Sequence, residues 1–373
     1  IIPHLQMNNA QKTGYMILSC LLLFLVTACG SSTKEKTKLS PEQIESKYSS
    51  GVVLIKNSYY YTISFEGGKA FYFTGLDSDG DPENLTLDPS EVTPAVAFGT
   101  GFFISKDGLI ATNSHVASPN VDISSARASI MNYFRSMANE WSKEINEINE
   151  KLGILQLAII SADSYSDKRQ YQQMYDELVK ERDSTQEAVN AVHSLGGMSY
   201  EATLHTDLGV AYNDTYVTNM SDFHDCVTVA DDPSHDLAII QLKDKTTPEK
   251  KHVFKVPRGK SAEHSNGDGE TSKKGVKVGK RLYMIGFNLG PTLALTNQGV
   301  KAQVTSGEVS QDTDDARIMY TISALHGSSG SPVIDEYGKL IAVNFAGLDM
   351  TQNFNYGVKA SHLKKLLATL KDE

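Results

Sequence analysis

Along most of the chain, apolar residues gather in short runs bounded by glycine, proline, asparagine or aspartate, as in GVVLI (Gly51 to Ile55), GTGFFIS, GLIAT, LAIIQL and KLIAVNFAG. Runs this short, rich in β-branched and aromatic residues and closed by turn formers, predict strands rather than helices. Two more runs, Tyr59-Tyr60-Tyr61 and Phe71-Tyr72-Phe73, flank Gly67-Gly68 and predict a β-hairpin between the first strand and GTGFFIS. Their aromatic side chains offer a contact surface for a protein partner, although half of them would face the fold.

The period changes at Ser129. From there to Leu195 the chain is rich in Glu, Lys, Gln, Asn and Ala, and its apolar residues recur by threes and fours. Ile130, Met137, Trp141, Ile145, Ile148, Leu152, Leu155 and Ile159 form one stripe, and Tyr171, Tyr175, Leu178, Val189 and Val192 a second. Two helices joined by SADSYSD, packed as an antiparallel hairpin with the stripes as mutual core, account for this spacing. Such a hairpin would project from the first group of strands as a spacer or as a docking element for a partner. A polar stretch over 246–275 separates that group from a second, and SHLKKLLATLKDE predicts a terminal helix on the surface.

Three of the turns carry chemistry. ATNSHV places His115 after a strand, HDLAII places Asp236 before one, and GSSGSP places Ser329 between YTISAL and KLIAVNFAG. Taken alone, each has a plain reading: a loop histidine, an acidic start to a buried strand, a Gly/Ser turn. Their joint placement beside strands points to nucleophilic catalysis. A serine hydroxyl attacks only when a neutral imidazole takes its proton, and the imidazole needs a carboxylate to fix its tautomer and stabilise the imidazolium. Ser329, His115 and Asp236 fit those roles. Gly327 and Gly330 permit the tight turn that aims the N–H groups of Gly327 and Ser329 at one point, an oxyanion hole. The scattered histidines form no metal motif and no Gly-rich phosphate loop is present, so neither metal nor cofactor is expected.

GTGFFISKDGLIATNSHV, DDPSHDLAIIQLK, KRLYMIGFNLG, VTSGEVS, GSSGSPVID, GKLIAVNFAG and NYGVKASHLKKLL follow one another as the corresponding blocks do in HtrA/Deg-type trypsin-like proteases, which this chain resembles. The SGSP that begins at Ser329 is more similar to the glutamyl endopeptidase branch of the same superfamily. The resemblance implies a mostly β fold, a chymotrypsin-like double six-stranded β-barrel, with an α-helical hairpin insertion in the first barrel and a C-terminal helix. The first barrel would cover 44–245 with the insertion at 129–195, and the second barrel and helix 276–373. It also implies a serine endopeptidase working through an acyl-enzyme, with Ser323, Ala324, His326, Asn344, Phe345 and Ala346 at the substrate pocket. No aspartate stands at the pocket base to select Arg or Lys, so a small or medium apolar side chain is expected. His326, beside the oxyanion hole, offers the alternative of an acidic one. Ser328 replaces the family's usual Asn before the nucleophile, and Ser331 its glycine two beyond. Too little chain follows Ser329 for the family's PDZ domain, so substrate capture through one is not expected.

From Tyr15 to Ala28 an apolar run, YMILSCLLLFLVTA, follows Lys12 and precedes polar CGSSTKEKTK. It is short for a bilayer span and reads as a secretory signal over 1–28. Val26-Thr27-Ala28-Cys29 resembles the bacterial lipobox, which implies an acylated Cys29, a polar tether over 29–43 and membrane attachment in a bacterial cell envelope, at the outer membrane if the cell is Gram-negative. An uncleaved anchor or an ordinary signal peptide is the alternative. Cys20 would leave with the signal, so Cys226 alone stays inside the fold and no internal disulfide forms, which suits a bacterial envelope enzyme. The net charge of -10 argues against a nucleic-acid partner. Expected partners are therefore protein or peptide substrates, a membrane, and a protein at the helical hairpin or aromatic loop. Two other functions stay open: a catalytically idle binding module of this fold, and a structural envelope lipoprotein acting through the hairpin.

Overall fold

Along GVVLI successive side chains point to opposite faces, and both faces are buried. Val52 and Leu54 join Phe102, Leu237, Ile239, Tyr283, Ile285 and Val343 in one core. Val53 and Ile55 join Phe103, Ile110, Val210, Ala238 and Ile240 in another. The computed structural model, which describes residues 37–257, 276–312, 314–348 and 351–370 (backbone alone at 346–348 and 351–353), gives the reason. The second of these cores fills a closed barrel, and the first lies between that barrel and its neighbour. Strands covered on both faces read as unbroken apolar runs instead of alternating ones, and each fully buried Val, Leu or Ile contributes roughly 1.5–3 kcal/mol.

Both barrels are six-stranded and antiparallel. Around the first run β1 (Val52–Phe65), β3 (Ala95–Phe103), β4 (Leu109–Thr112), β7 (Leu237–Leu242), β6 (His224–Asp232) and β5 (Tyr200–Tyr212), with β5 pairing back onto β1. β2 (Ala70–Phe73) adds to the far end of β1, outside the ring. Around the second run β8 (Arg281–Gly286), β9 (Gln303–Gln311), β10 (Arg317–Tyr320), β13 (Thr351–Lys359), β12 (Leu340–Leu348) and β11 (Pro332–Asp335). Leu282, Met284, Val309, Ile318, Val333 and Ala342 fill it.

Two helices close the seam between the barrels. α1 (Pro41–Tyr48) starts at Ser40, whose hydroxyl caps Gln43 N–H while the Gln43 side chain accepts from Ser40 N–H. Residues 41–43, expected as tether, are therefore helix, because this reciprocal cap begins the turn and buries Ile44 and Tyr48 in the inter-barrel core. α5 (Ala360–Thr369) lays Ala360, Leu363 and Leu366 into the same core. The expected 246–275 linker is bound to the first barrel over its early part, where Thr247 N–H donates to Lys106 O and Phe254 N–H to Phe103 O. Residues 258–275 lie outside those described.

The insertion follows α2 (Ser114–Ala117), a single turn, and consists of α3 (Ile123–Ser161) and α4 (Tyr165–Leu195). It begins at Ile123 rather than Ser129. Asp122 caps the helix by accepting from Ser124 and Ser125, hydrogen bonds that hold its carboxyl down to about 2. The two stripes meet as expected, and their core extends further. Ala126, Ile130, Met131, Phe134, Val189 and Val192 pack on Tyr61, Ile63, Phe65, Phe71 and Phe73 of the β1–β2 hairpin, with Phe71 and Phe134 stacked at 4.8 Å. Tyr61, Phe71 and Phe73 are thus covered by the helices, not presented to a partner. Tyr60 and Tyr72 take the opposite face, where Tyr60 stacks on His205 at 4.4 Å. Toward the tip the packing thins, and Ile154, Leu157 and Ile160 are exposed. Among the described residues no helix is long and apolar enough to cross a membrane.

This division predicts two different responses. Phe134→Ala should lower stability in urea denaturation by about 3–5 kcal/mol, because it opens the core shared by helices and hairpin. Replacing 154–172 with a short Gly/Ser linker should cost less than about 1 kcal/mol, since only exposed or half-buried positions are lost and loop closure depends weakly on length.

Candidate active site

β4 and β7 pair in register, with Thr112 opposite Ala238. The turn leaving one strand and the turn entering the other therefore lie side by side, although His115 and Asp236 are 121 positions apart. His115 stands in α2 just after Asn113, whose amide donates to the Asp236 carbonyl at 2.7 Å. Asp236 ends a tight turn with φ of 51°, a left-handed conformation that aspartate tolerates better than most residues. Its carboxylate accepts from His115 N–H at 3.0 Å, and its two oxygens lie 3.0 and 2.9 Å from His115 Nδ1. A carboxylate only accepts, so Nδ1 donates in this contact. The imidazole is 48% exposed, open to whatever enters.

Ser329 sits in a turn framed by Gly327 and Gly330, both left-handed, at φ of 90° and 88°. Only glycine fits either position: a β-carbon on Gly330 would collide with Thr100 O and Thr112 Oγ1. Ser328 points inward, donating its hydroxyl to Leu325 O at 2.6 Å. The N–H groups of Gly327 and Ser329 donate to no acceptor among the described residues. Asn344 of β12 holds the turn from below: its carbonyl accepts from Gly330 N–H at 2.8 Å, and its amide donates to Ser328 O at 3.1 Å. Tyr320 OH donates to Asn344 Oδ1 at 2.8 Å.

Thr100 of β3, wholly buried, ties this turn to the first barrel. Its N–H donates to Ser329 O at 2.8 Å and its hydroxyl to Gly327 O at 2.8 Å, while the hydroxyl oxygen accepts from Phe287 N–H at 3.0 Å. Its carbonyl accepts from Thr112 Oγ1 at 2.8 Å, three residues before His115. Ser329 is thereby carried to the His115 strand end. Among the described residues no hydrogen bond joins its hydroxyl to the imidazole, a contact that in free enzymes often tightens only when substrate binds.

The expected pocket residues divide by environment. Asn344 is buried with its amide committed to Ser328 and Tyr320. Ser323 and His326 are exposed and Ala324 half-buried, and the His326 carbonyl accepts from Leu289 N–H at 2.6 Å. Phe345 borders an open cleft of about 520 Å³ beside Ser234, His235 and Asp236, with Asp315 and Arg317 opposite. The side chain of Ala346 and all of Cys29 lie outside the described residues. Behind the cleft the His235 ring packs 4.2 Å from His362, whose imidazole is held below its usual range by burial. Cys226 is buried in the barrel wall, and desolvation pushes its thiol up to about 12. No group of His, Cys, Asp or Glu among the described residues is arranged to hold a metal ion.

Thr100 and the positioning part of Asn344 were missed in the sequence. The signal for Thr100 was present, a polar residue between two glycines inside an apolar strand. A β-carbon at Gly99 would stand 2.6 Å from Val116 Cγ1, and one at Gly101 2.6 Å from Ile110 Cγ2, so the strand needs both glycines to lie against its neighbours.

The sequence model of the trypsin-like peptidase domain matches residues 99–343, which take in all three turns. No curated protein matches the chain. Among solved structures, the chain is similar to the serine endoprotease from Yersinia pestis at 12% identity, over 90% of this chain and 68% of that one, with a TM-score of 0.42.

Thr100→Val keeps the shape of the side chain and removes its hydroxyl, leaving Gly327 O and Phe287 N–H unpaired. We expect about 1–3 kcal/mol lost for each group in chemical denaturation. Reactivity of Ser329 toward a fluorophosphonate should fall at least about tenfold as the turn loses its anchor, because small misplacement of reacting groups is costly.

Proposed function

Because the chain belongs to the trypsin-like peptidase family, we propose that it is a serine endopeptidase in which Ser329 is the nucleophile, His115 the general base and Asp236 the carboxylate that orients it. The observation that supports this reading is the contact of His115 Nδ1 with Asp236 at 2.9 Å, which would leave Nε2 to act as the base. His115 would take the Ser329 proton as Oγ attacks the scissile carbonyl, then deliver it to the departing amine. Water, activated by the same imidazole, would hydrolyse the acyl-enzyme. The N–H groups of Gly327 and Ser329, which donate to no acceptor among the described residues, are suited to hold the oxyanion. Thr100 and Asn344 act as positioning residues for that turn.

We extend the proposal to location and lineage: an HtrA/Deg-like enzyme held in a bacterial envelope by an acylated Cys29, with proteins as substrates. Its support is the lipobox-like Val26-Thr27-Ala28-Cys29 and the run before it. A cysteine carrying two or three acyl chains anchors stably, whereas one chain alone binds marginally. Cys29→Ala should therefore move the protein from the membrane to the soluble fraction or block its processing. Absence of palmitate label on the wild type would refute the anchor.

Labelling of the purified protein by a fluorophosphonate, followed by casein cleavage, tests the catalytic assignment and separates it from an idle binding module. Ser329→Ala and His115→Ala should lose turnover on the order of a million-fold. Asp236→Asn should retain a residue of activity, reduced about ten-thousand-fold, because the oxyanion hole survives while the tautomer is wrong. Iodoacetamide at pH 8 should leave activity intact, since the Cys226 thiol stays protonated until about 12. Casein cleavage by purified Ser329→Ala would refute the assignment.

A further inference from the structure

The turn that delivers Asp236 to His115 rests on side chains outside the proposed catalytic three. Asp232, at the end of β6, accepts from the Ser234 hydroxyl at Oδ1 and from His235 Nδ1 at Oδ2, the latter at 2.8 Å. His235 N–H donates to Asp232 O at 3.2 Å, and Asp236 N–H to Pro233 O at 3.3 Å. Asp236 itself is left-handed, with φ of 51°. Aspartate tolerates that conformation without preferring it, so the backbone keeps it only where neighbours hold it.

One of those neighbours is a second histidine. The ring centroids of His235 and His362 lie 4.2 Å apart, with the planes 33° from parallel. His362 belongs to α5, which packs on β6 and β7, the two strands that the turn joins. It is only 7% exposed. Its Nε2 lies 3.2 Å from Asp315 O, and a carbonyl only accepts, so Nε2 donates in this contact. Its Nδ1 is buried and has no hydrogen-bond partner among the described residues. In a neutral ring that nitrogen carries a lone pair. In a protonated ring it would carry an N–H and part of a positive charge, buried and without an acceptor.

The charged groups around His362 make the neutral ring the resident form. Burial holds its imidazole below the usual range; Asp315 O and Asp232 oppose this, while Lys365 of α5 and His235 add to it. Burial also acts on Asp232 to raise it, but hydrogen bonds from Ser234 and His235 keep its carboxyl below the usual range, so it stays ionised while a histidine titrates. The segment carrying Asp315 also holds Asp314, paired with Arg317 at 2.8 Å, and Asp312, paired with Lys359 at 2.6 Å, so those charges are already matched. Uptake of a proton by His362 would therefore favour movement of its ring out of the stack, toward water.

We propose that His362 is a positioning residue for the catalytic pair: its neutral ring, packed on His235, steadies the Asp232–Asp236 turn against His115, and its protonation releases that turn. The proposal rests on the serine-protease assignment above. Two protons then shut the enzyme off as pH falls. The one on His115 removes the base, and the one on His362 removes the carboxylate that orients it, a loss that reaches about ten-thousand-fold when complete.

The second-order rate of fluorophosphonate inactivation of the full chain, followed from about pH 8 to about pH 4.5, tests this without a known substrate. Toward the acid end the logarithm of the wild-type rate should steepen from about one to about two units per pH unit, one for each proton. His362→Phe keeps a ring on His235 and takes no proton, and His362→Asn keeps a donor for Asp315 O. In either variant the limb should stay at about one unit per pH unit. His362→Ala should inactivate at least about tenfold more slowly than wild type at about pH 8, with most of that loss recovered in His362→Phe, because it is the packed ring that holds the turn. A purely structural histidine would lower the unfolding midpoint of its variants and leave these slopes equal. A wild-type limb of about one unit per pH unit, over the range in which circular dichroism shows a folded protein, overturns the proposal and spares the protease assignment. So does a limb of about two units that persists in His362→Phe or His362→Asn, or a His362→Ala rate equal to that of wild type. Absence of Ser329-dependent inactivation at every pH removes the proposal and the protease assignment together.

Discussion

The turn holding Ser329 and the strand before His115 belong to different barrels, and the polar seam at Thr100 links them. Apolar packing between the barrels is extensive, yet apolar contact is non-directional and would tolerate sliding. Hydrogen bonds from a wholly buried threonine do not. Its N–H, carbonyl and hydroxyl engage Ser329, Thr112, Gly327 and Phe287, so the Ser329 turn, the strand before His115 and the second barrel share one residue. A buried group whose partners drift apart is left unsatisfied, and that penalty holds the seam in register. Asn344 performs the corresponding task from the second barrel, joining the turn to the strand beneath it.

This arrangement accounts for the tolerance of a long insertion between His115 and Asp236. The contact of His115 with Asp236 is set by the β4–β7 ladder, which runs from Leu109 opposite Gln241 to Thr112 opposite Ala238 whatever lies between. The inserted helices rise from the chain just past α2 and bury their base on the extension of β1 and β2. Each insertion covers the other's apolar surface. Without α3, the face carrying Tyr61, Ile63, Phe65, Phe71 and Phe73 would be bare, and without that face the base of α3 would have no partner outside its own hairpin. They form one accessory body that leaves the ladder beside the site unchanged.

Asp236 and the Ser329 turn both use backbone conformations that ordinary side chains avoid. Asp236 is left-handed, as are Gly327, Gly330 and, facing them, Leu289 and Gly290. Two surface concavities among the described residues differ in chemistry. One is lined by carboxylates, an arginine and Phe345, and the other almost wholly by hydrocarbon.

What the sequence determined by itself was local. The apolar runs, the glycines at 67, 68, 327 and 330 and the threefold and fourfold spacing after Ser129 identify strands, turns and helices, because each signal is a steric or periodic property of neighbours in the chain. The three turns holding His115, Asp236 and Ser329 were legible for the same reason. Thr100, the covered face of the aromatic hairpin, the cap at Asp122 that starts α3 early and the helix at Pro41 were decided by tertiary structure. In each case the deciding partner is remote in sequence or competes with an equally good local alternative. A threonine in a strand looks the same whether it faces solvent or joins two barrels, and an aromatic stripe looks the same whether helices cover it or not. Only the closing of the barrels and the packing of the hairpin, which bring distant segments together in the absence of water, give those residues their roles.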